Sequence, residues 1–387
     1  MAVSVPTRAV GSALLAVMCA SLLGCTGGSS SGTAAAIVMN QGGCGGTWTA
    51  HGGPHTFQIK NGDIGTDEVD LIDPKTSAVY AEVEALAPGT TRPMQLTLAR
   101  GSYAFRCYPE DAGGVTGPTV TITDGPTQGT PAVLPVDNEV LLASVKAYRT
   151  RITAGLVQLA TDVNKLRQTL RGGTLAASQA AWLTAHLDYE RLGAAYDTFG
   201  DFADAIDGMP DGLPGGVHDP DFTGLRRIEY GLWHGEAPSS LAAVADQLGT
   251  DVAGLQKAFP TQQVDPNDLP LRAHEILENA LQFELTDEAD QGSHTSLATV
   301  NANLDGTQMV LDVLTPVMQT RYTGWSQVAD WMSRTRTELA SLRHADGTWP
   351  PVTDLDASQR EKLNGDVGQL LEVLAPIAAI GDVRRTS

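Results

Sequence analysis

Positive charge is scarce in this sequence: 25 Lys and Arg face 45 Asp and Glu, for a formal net charge of −20. Such a deficit argues against a nucleic-acid surface and against adhesion to an anionic membrane face, and it favours attraction of cations. Hydrolytic machinery is missing as well. The one Gly-x-Ser-x-Gly spacing, Gly28 to Gly32, lies in a Gly/Ser-rich stretch with no strand and helix pattern around it and so is no nucleophile elbow, and His274-Glu275-Ile276-Leu277-Glu278 carries Glu278 where a zinc-protease helix needs its second histidine. Cysteine is limited to four residues in 387.

The placement of those cysteines is informative. Arg8 supplies a positive N-terminal region, and the apolar run from Ala9 to Leu23 is too short to remain as a bilayer-spanning helix, so residues 1–24 read as an export signal. It ends in Leu22-Leu23-Gly24-Cys25, which resembles the bacterial lipobox, where Cys25 is lipidated after cleavage before it. Loss of the signal removes one cation and no carboxylate, so the mature chain is still more acidic. Residues 25–36 are rich in Gly, Ser, Thr and Ala and read as a flexible tether. Cys19 leaves with the signal, which leaves Cys44 and Cys107 in an oxidising compartment. A disulfide between them is the default there, with metal ligation as the alternative.

The hydrophobic period changes along the chain. From Ile37 to about Asp124, short alternating segments such as His55 to Lys60, Glu68 to Ile72, Met94 to Leu98 and Tyr103 to Cys107 are separated by Gly, Pro and Asn, which predicts a β-sandwich over residues 37–124. Residues 125–136 form a Gly/Pro/Thr linker. From Asp137 the period is helical, and residues 137–385 are predicted to be an all-α bundle. Its first helix, Asp137 to Arg171, carries one apolar stripe from Leu141 to Leu170 and stops at Gly172-Gly173. A second helix is expected from Thr174 to Thr198. Further helices are expected near Phe222 to Trp233, Leu241 to Ala258, Leu271 to Thr286, Ser296 to Met318, Thr323 to Leu342 and Ala357 to Ile377.

Within the second helix Trp182, His186 and Glu190 recur at i, i+4, which puts an imidazole and a carboxylate on one face. Such a pair can offer two ligands to one ion, or form an ordinary hydrogen bond. Together with the segments Trp182 to Tyr196, Asp207-Gly208, Asp219 to Gly235 and Arg272 to Glu278, it resembles the imelysin family, across essentially the whole helical region. The resemblance implies a bundle with a metal site built on a Gly-x-His-x-x-Glu helix and neighbouring carboxylates. Here Gly224 and Glu229 match, but Arg226 stands at the histidine position.

Arginine is permanently charged and cannot ligate, so either the site is weakened, another group completes it, or Arg226 fills the metal's place. Glu190 and Asp221 are the expected neighbouring carboxylates, with His186, His218 and Glu275 as further candidates.

The β region resembles the cupredoxin-like domain that precedes the bundle in long family members, through Asn61, Glu68, Asp70, Glu82, Glu84 and Cys107, with Cys44 as the early cysteine. That resemblance implies a second site for copper or ferric iron, with oxidation of ferrous iron as a conceivable role. No histidine and methionine follow Cys107 as a blue-copper centre requires. Cys44, Glu68, Asp70, Glu82 and Cys107 are instead expected as a harder site, with His51 and His55 nearby; solvated carboxylates beside a Cys44–Cys107 disulfide are the competing reading. The expectation is a lipid-anchored, non-enzymatic carrier of iron, with copper or zinc as other possible metals. A membrane iron permease and a haem peroxidase-like protein are the partners the resemblance implies. A metal-free interaction or glycan-binding module is the alternative.

Overall fold

A computed structural model describes residues 36–40, 42–110 and 113–385. The expected export signal, the expected lipidation site Cys25 and nearly all of the expected tether lie outside them. Among the described residues the chain forms an N-terminal β region followed by a helical region.

The strands are β1 (Ala36–Asn40), β2 (Gly43–Cys44), β3 (Gly53–Asn61), β4 (Asp67–Ile72), β5 (Val79–Leu86), β6 (Thr91–Leu98), β7 (Gly101–Pro109), β8 (Val115–Thr116) and β9 (Val120–Ile122). They make two sheets, ordered β2-β1-β3-β6 and β5-β4-β7-β8, with β9 pairing to β7. Alternation sends Ile37, Met39, Phe57, Ile59, Val69, Leu71 and Phe105 into a shared interior, where Trp48 meets Phe57 and Phe105 edge-on. This two-sheet arrangement is consistent with the cupredoxin-like expectation. Cys44 on one sheet and Cys107 on the other are joined in a disulfide.

The helices are α1 (Asn138–Gly172), α2 (Leu175–Glu190), α3 (Tyr196–Phe199), α4 (Asp201–Asp207), α5 (Gly224–Trp233), α6 (Ala242–Ala258), α7 (Asp268–Asn279), α8 (Ser296–Met318), α9 (Trp325–Ser341) and α10 (Ala357–Gly381). The side chain of Asp137 caps α1 by accepting from the Val140 amide at 2.9 Å. The predicted stripe from Leu141 to Leu170 is buried along the whole helix, and each large apolar side chain so buried contributes about 1.5–3 kcal/mol. It packs against α2, α6 and α8.

Two predicted helices are shorter than the periodicity suggests. The second ends at Glu190 rather than Thr198, because the chain tightens through Leu192 N to Tyr189 O and then turns at Gly200, whose φ is +56°. The stretch expected as Leu271 to Thr286 is regular only to Asn279. Beyond it, Ala280–Glu284 widens into a π-turn closed by Leu285 N to Ala280 O at 2.9 Å. Such turns are frequent at functional sites.

Candidate metal centre

Four elements converge on one buried point. Helix α2 brings His186 and Glu190, the end of α4 brings Asp207, α5 brings Arg226 and Glu229, and the π-turn brings Glu284. His186 and Glu229 are fully buried and the others nearly so.

Glycine at 224 makes this convergence possible. Its φ is +72°, and a Cβ there would lie 2.3 Å from the carbonyl oxygen of Ile206. Only glycine lets the start of α5 approach the end of α4 this closely, which sets Arg226 and Glu229 against Asp207.

The Arg226 guanidinium lies at the centre. It reaches Glu190 at 3.3 Å, Asp207 at 3.2 Å, and Glu229 and Glu284 at 3.5 Å each, and it donates to the Ala289 carbonyl at 3.2 Å. Burial alone would lower its pKa, but the four carboxylates outweigh that and hold it well above its ordinary value. Thus four acids share one guanidinium.

His186 stacks on Trp182 with ring centroids 4.9 Å apart, and the Trp182 indole donates to the Leu225 carbonyl at 2.8 Å. The imidazole Nε2 is 3.2 Å from Thr299 Oγ1 and 3.7 Å from Glu190, while Nδ1 is 3.6 Å from Asp207. Burial and Arg226 push the imidazole pKa down, but Asp207 and Glu190 push it up further, and the net shift is upward.

The carboxylates are also held from behind. Asn303 donates to Glu190 at 2.8 Å, and Gln291 N and Ser293 Oγ donate to Glu229 at 2.9 and 2.6 Å. Glu229 is nonetheless raised, chiefly by burial, and Glu284 is raised to about 7, by burial and by Glu190 and Asp207. Three buried atoms still lack a hydrogen bond: His186 Nδ1, Asp207 Oδ1 and Glu229 Oε2. One ligand atom from each of His186, Glu190 and Asp207 lies within 4.8 Å of the others, a spacing that suits a mixed imidazole and carboxylate ligand set. A cavity of about 650 Å³ adjoins the cluster, with Glu190, Asp207, Arg226 and Glu284 in its wall.

The expected residues divide. His186, Glu190 and Glu229 come together, with Arg226 among them. Asp221 does not join: it is exposed on the loop before α5, its amide tied to Asp219, and it borders a neighbouring cavity that shares Asp207. Glu275 on α7 is instead paired with Arg272 at 2.6 Å, and His218 packs edge-on against Tyr230. Asp207 and Glu284 were not expected as ligands. Asp207 stood within a quoted motif, whereas Glu284 depends on the π-turn, which leaves no periodic trace in the sequence.

In the β region the disulfide removes Cys44 and Cys107 as thiolate ligands. Glu68, Asp70 and Glu82 do come together, since Asp70 pairs across strands with Glu82 and lies two residues from Glu68. His51 is exposed and sits 3.4 Å from Asp124, and His55 packs beside Phe57 on β3.

A helical bundle holding an imidazole and several carboxylates in its interior is the class of protein that the fold and the cluster define. The family profile described as imelysin matches residues 144–377, and the chain belongs to that family. It is 28% identical over 340 residues to the iron uptake system component EfeO of Escherichia coli O157:H7, a match covering 86% of this chain and 87% of the relative. The same figures hold for EfeO of E. coli K12 and of Shigella flexneri. An imelysin-like protein from Psychrobacter arcticum 273-4 is similar in structure with a TM-score of 0.48 at 14% identity, covering 63% of this chain and 98% of that one.

Proposed function

We propose that this chain is the extracytoplasmic binding component of an iron uptake system, anchored through Cys25, which captures iron and passes it to a membrane permease. A haem peroxidase-like protein would complete the same system. The observation that carries the reading is the buried cluster of His186, Glu190, Asp207, Glu229 and Glu284, in which four carboxylates face a single guanidinium. Relatives named as iron uptake components support the choice of iron.

Arg226 is then a resident cation that the cargo must displace, and the 650 Å³ cavity it borders gives its side chain somewhere to go. The β region would supply a second, all-oxygen cation site from Glu68, Asp70 and Glu82. The protein binds and transfers; no bond-making chemistry is assigned to it.

Anaerobic titration with Fe²⁺ should show binding that weakens at least about ten-fold when Glu190→Ala or Glu229→Ala removes a charged ligand, a loss of roughly 1.4 kcal/mol or more. Unchanged affinity in both variants removes the bundle site. The rival, a metal-free interaction or glycan-binding module, rests on the same Arg226, which neutralises part of the cluster without any ion. It gains if the purified protein is metal-free by elemental analysis and fails to bind added iron or copper.

A further inference from the structure

Strand alternation sends Val69 and Leu71 of β4 into the sandwich, so Glu68 and Asp70 point to the opposite face of their sheet. Glu82 stands beside Asp70 on β5, and Arg106 stands on its other side on β7. An outward sheet face is ordinarily wet. Asp70 is nevertheless 0% exposed, and both its carboxylate oxygens are buried without a hydrogen-bond partner, as is Glu68 Oε1.

The cover comes from the far end of the chain. After α10, Val383 forms a parallel bridge with Val136, and Arg384 N donates to Val136 O at 3.0 Å. The Arg384 side chain then enters the acidic face and binds Glu82 with two parallel bonds, at 2.7 and 2.9 Å. Arg385 donates to the carbonyls of Tyr108 and Pro109 on β7 and lies over the Tyr108 ring. A short C-terminal strap thus ties the bundle to the sheet, with Arg384 only 9% exposed.

The chemistry of the face is unbalanced. Glu68, Asp70 and Glu82 offer an all-oxygen set, yet the bidentate guanidinium satisfies only Glu82. Arg384 leaves Asp70 unpartnered, whereas a multivalent cation that draws the three side chains together can take an oxygen from each acid.

We propose that Arg384 is a displaceable latch on this site: a multivalent cation bound by Glu68, Asp70 and Glu82 expels the guanidinium and frees the strap, so cation loading and docking of the β region on the bundle compete. This rests on the reading of the β region as a second cation site. Linkage makes the competition reciprocal, since whatever the cation takes from docking, docking takes from cation affinity.

Trypsin reports on the latch directly, because cleavage after Arg384 requires its side chain to leave Glu82. In the full chain with Glu190→Gln and Glu229→Gln silencing the bundle, Fe²⁺ added anaerobically should accelerate that cleavage, followed by intact mass. On the same background, Arg384→Ala should bind Fe²⁺ about ten-fold more tightly, within the ~5–150-fold range of ordinary site coupling, and Arg384→Lys should fall between. Equal affinity in all three proteins, with cleavage indifferent to Fe²⁺, overturns the latch and leaves the cation site standing. Failure of Arg384→Ala to bind Fe²⁺ overturns both.

Discussion

Arg226 Nη2 lies 3.3 Å from Glu190 Oε1, inside a buried cluster that also holds Asp207, Glu229 and Glu284. A buried guanidinium and a buried acid of this kind are each tolerable only because of the other. Truncating one partner leaves uncompensated charge, and such losses cost about 3–5 kcal/mol. Arg226→Ala is therefore expected to lower stability in chelator-treated protein by that order, because Glu190, Asp207, Glu229 and Glu284 would face one another unshielded. Added Fe²⁺ should restore more stability to the variant than it adds to the wild type. Urea unfolding with and without metal measures both effects; equal metal-dependent gains would mean that Arg226 and the ion do not share a position. Arg226→His, which supplies the imidazole that the family resemblance implies there, should bind Fe²⁺ more tightly than wild type.

A pH dependence follows from Asp70. Burial, then the charges of Glu68 and Glu82, raise it to about 8 against an ordinary 3.8, despite the opposing Arg384 and Arg106. The folded chain therefore holds a proton that the unfolded chain loses near pH 4. Between about pH 4 and pH 8 the native state binds more protons, so stability falls as pH rises through that window. Glu68, raised to about 7 mainly by burial, acts in the same direction. Asp70→Asn should flatten the slope and be more stable than wild type at pH 8, read from thermal unfolding of metal-free protein across the range. A slope unchanged by the substitution would show that Asp70 ionises normally in the fold.

The helices of the bundle were legible because an apolar stripe such as Leu141 to Leu170 follows directly from the 3.6-residue period. The pairing of His186 with Glu190 and of Arg226 with Glu229 was legible for the same reason, since i, i+4 and i, i+3 neighbours share a face. What joined those two pairs was not. Asp207 arrives through the close approach at Gly224, and Glu284 through a π-turn that departs from helical spacing. Asp221 was expected as a neighbouring carboxylate on the family resemblance, yet the loop carries it to the adjoining cavity. In the β region, strand β5 has no clear alternation because Glu82 and Glu84 make its outer face polar while Ala85 has a φ of +46°. The burial of Asp70 depends on Arg384, which lies far away in the chain and could not be inferred from local pattern.

Gly224 offers a test of how much the centre depends on backbone approach. Any side chain there meets the Ile206 carbonyl and must also adopt a positive φ. Gly224→Ala is expected to destabilise the fold by about 1–3 kcal/mol, the usual scale for strained backbone positions. It should also weaken Fe²⁺ binding although residue 224 offers no ligand, because α5 would shift Arg226 and Glu229 away from Asp207. A drop in the urea midpoint with unchanged Fe²⁺ affinity would separate packing from site assembly.

The disulfide permits a test of whether the β region depends on covalent closure or on its core alone. Cys44 and Cys107 are 63 residues apart and join strands of different sheets, so the bond closes a long loop in the unfolded chain. A native disulfide of this kind contributes about 2–5 kcal/mol. The interior it spans is small, built around Trp48, Phe57 and Phe105, and small domains lean on such bonds more than large ones do. Cys44→Ser/Cys107→Ser should therefore unfold the β region at lower temperature and leave the bundle transition in place, visible as two separated steps in calorimetry. The bundle's proposed Fe²⁺ site should survive, since His186, Glu190, Asp207 and Glu229 draw nothing from the sandwich. If both regions instead melt together at a lower temperature, the strap through Arg384 couples them more strongly than the disulfide stabilises either.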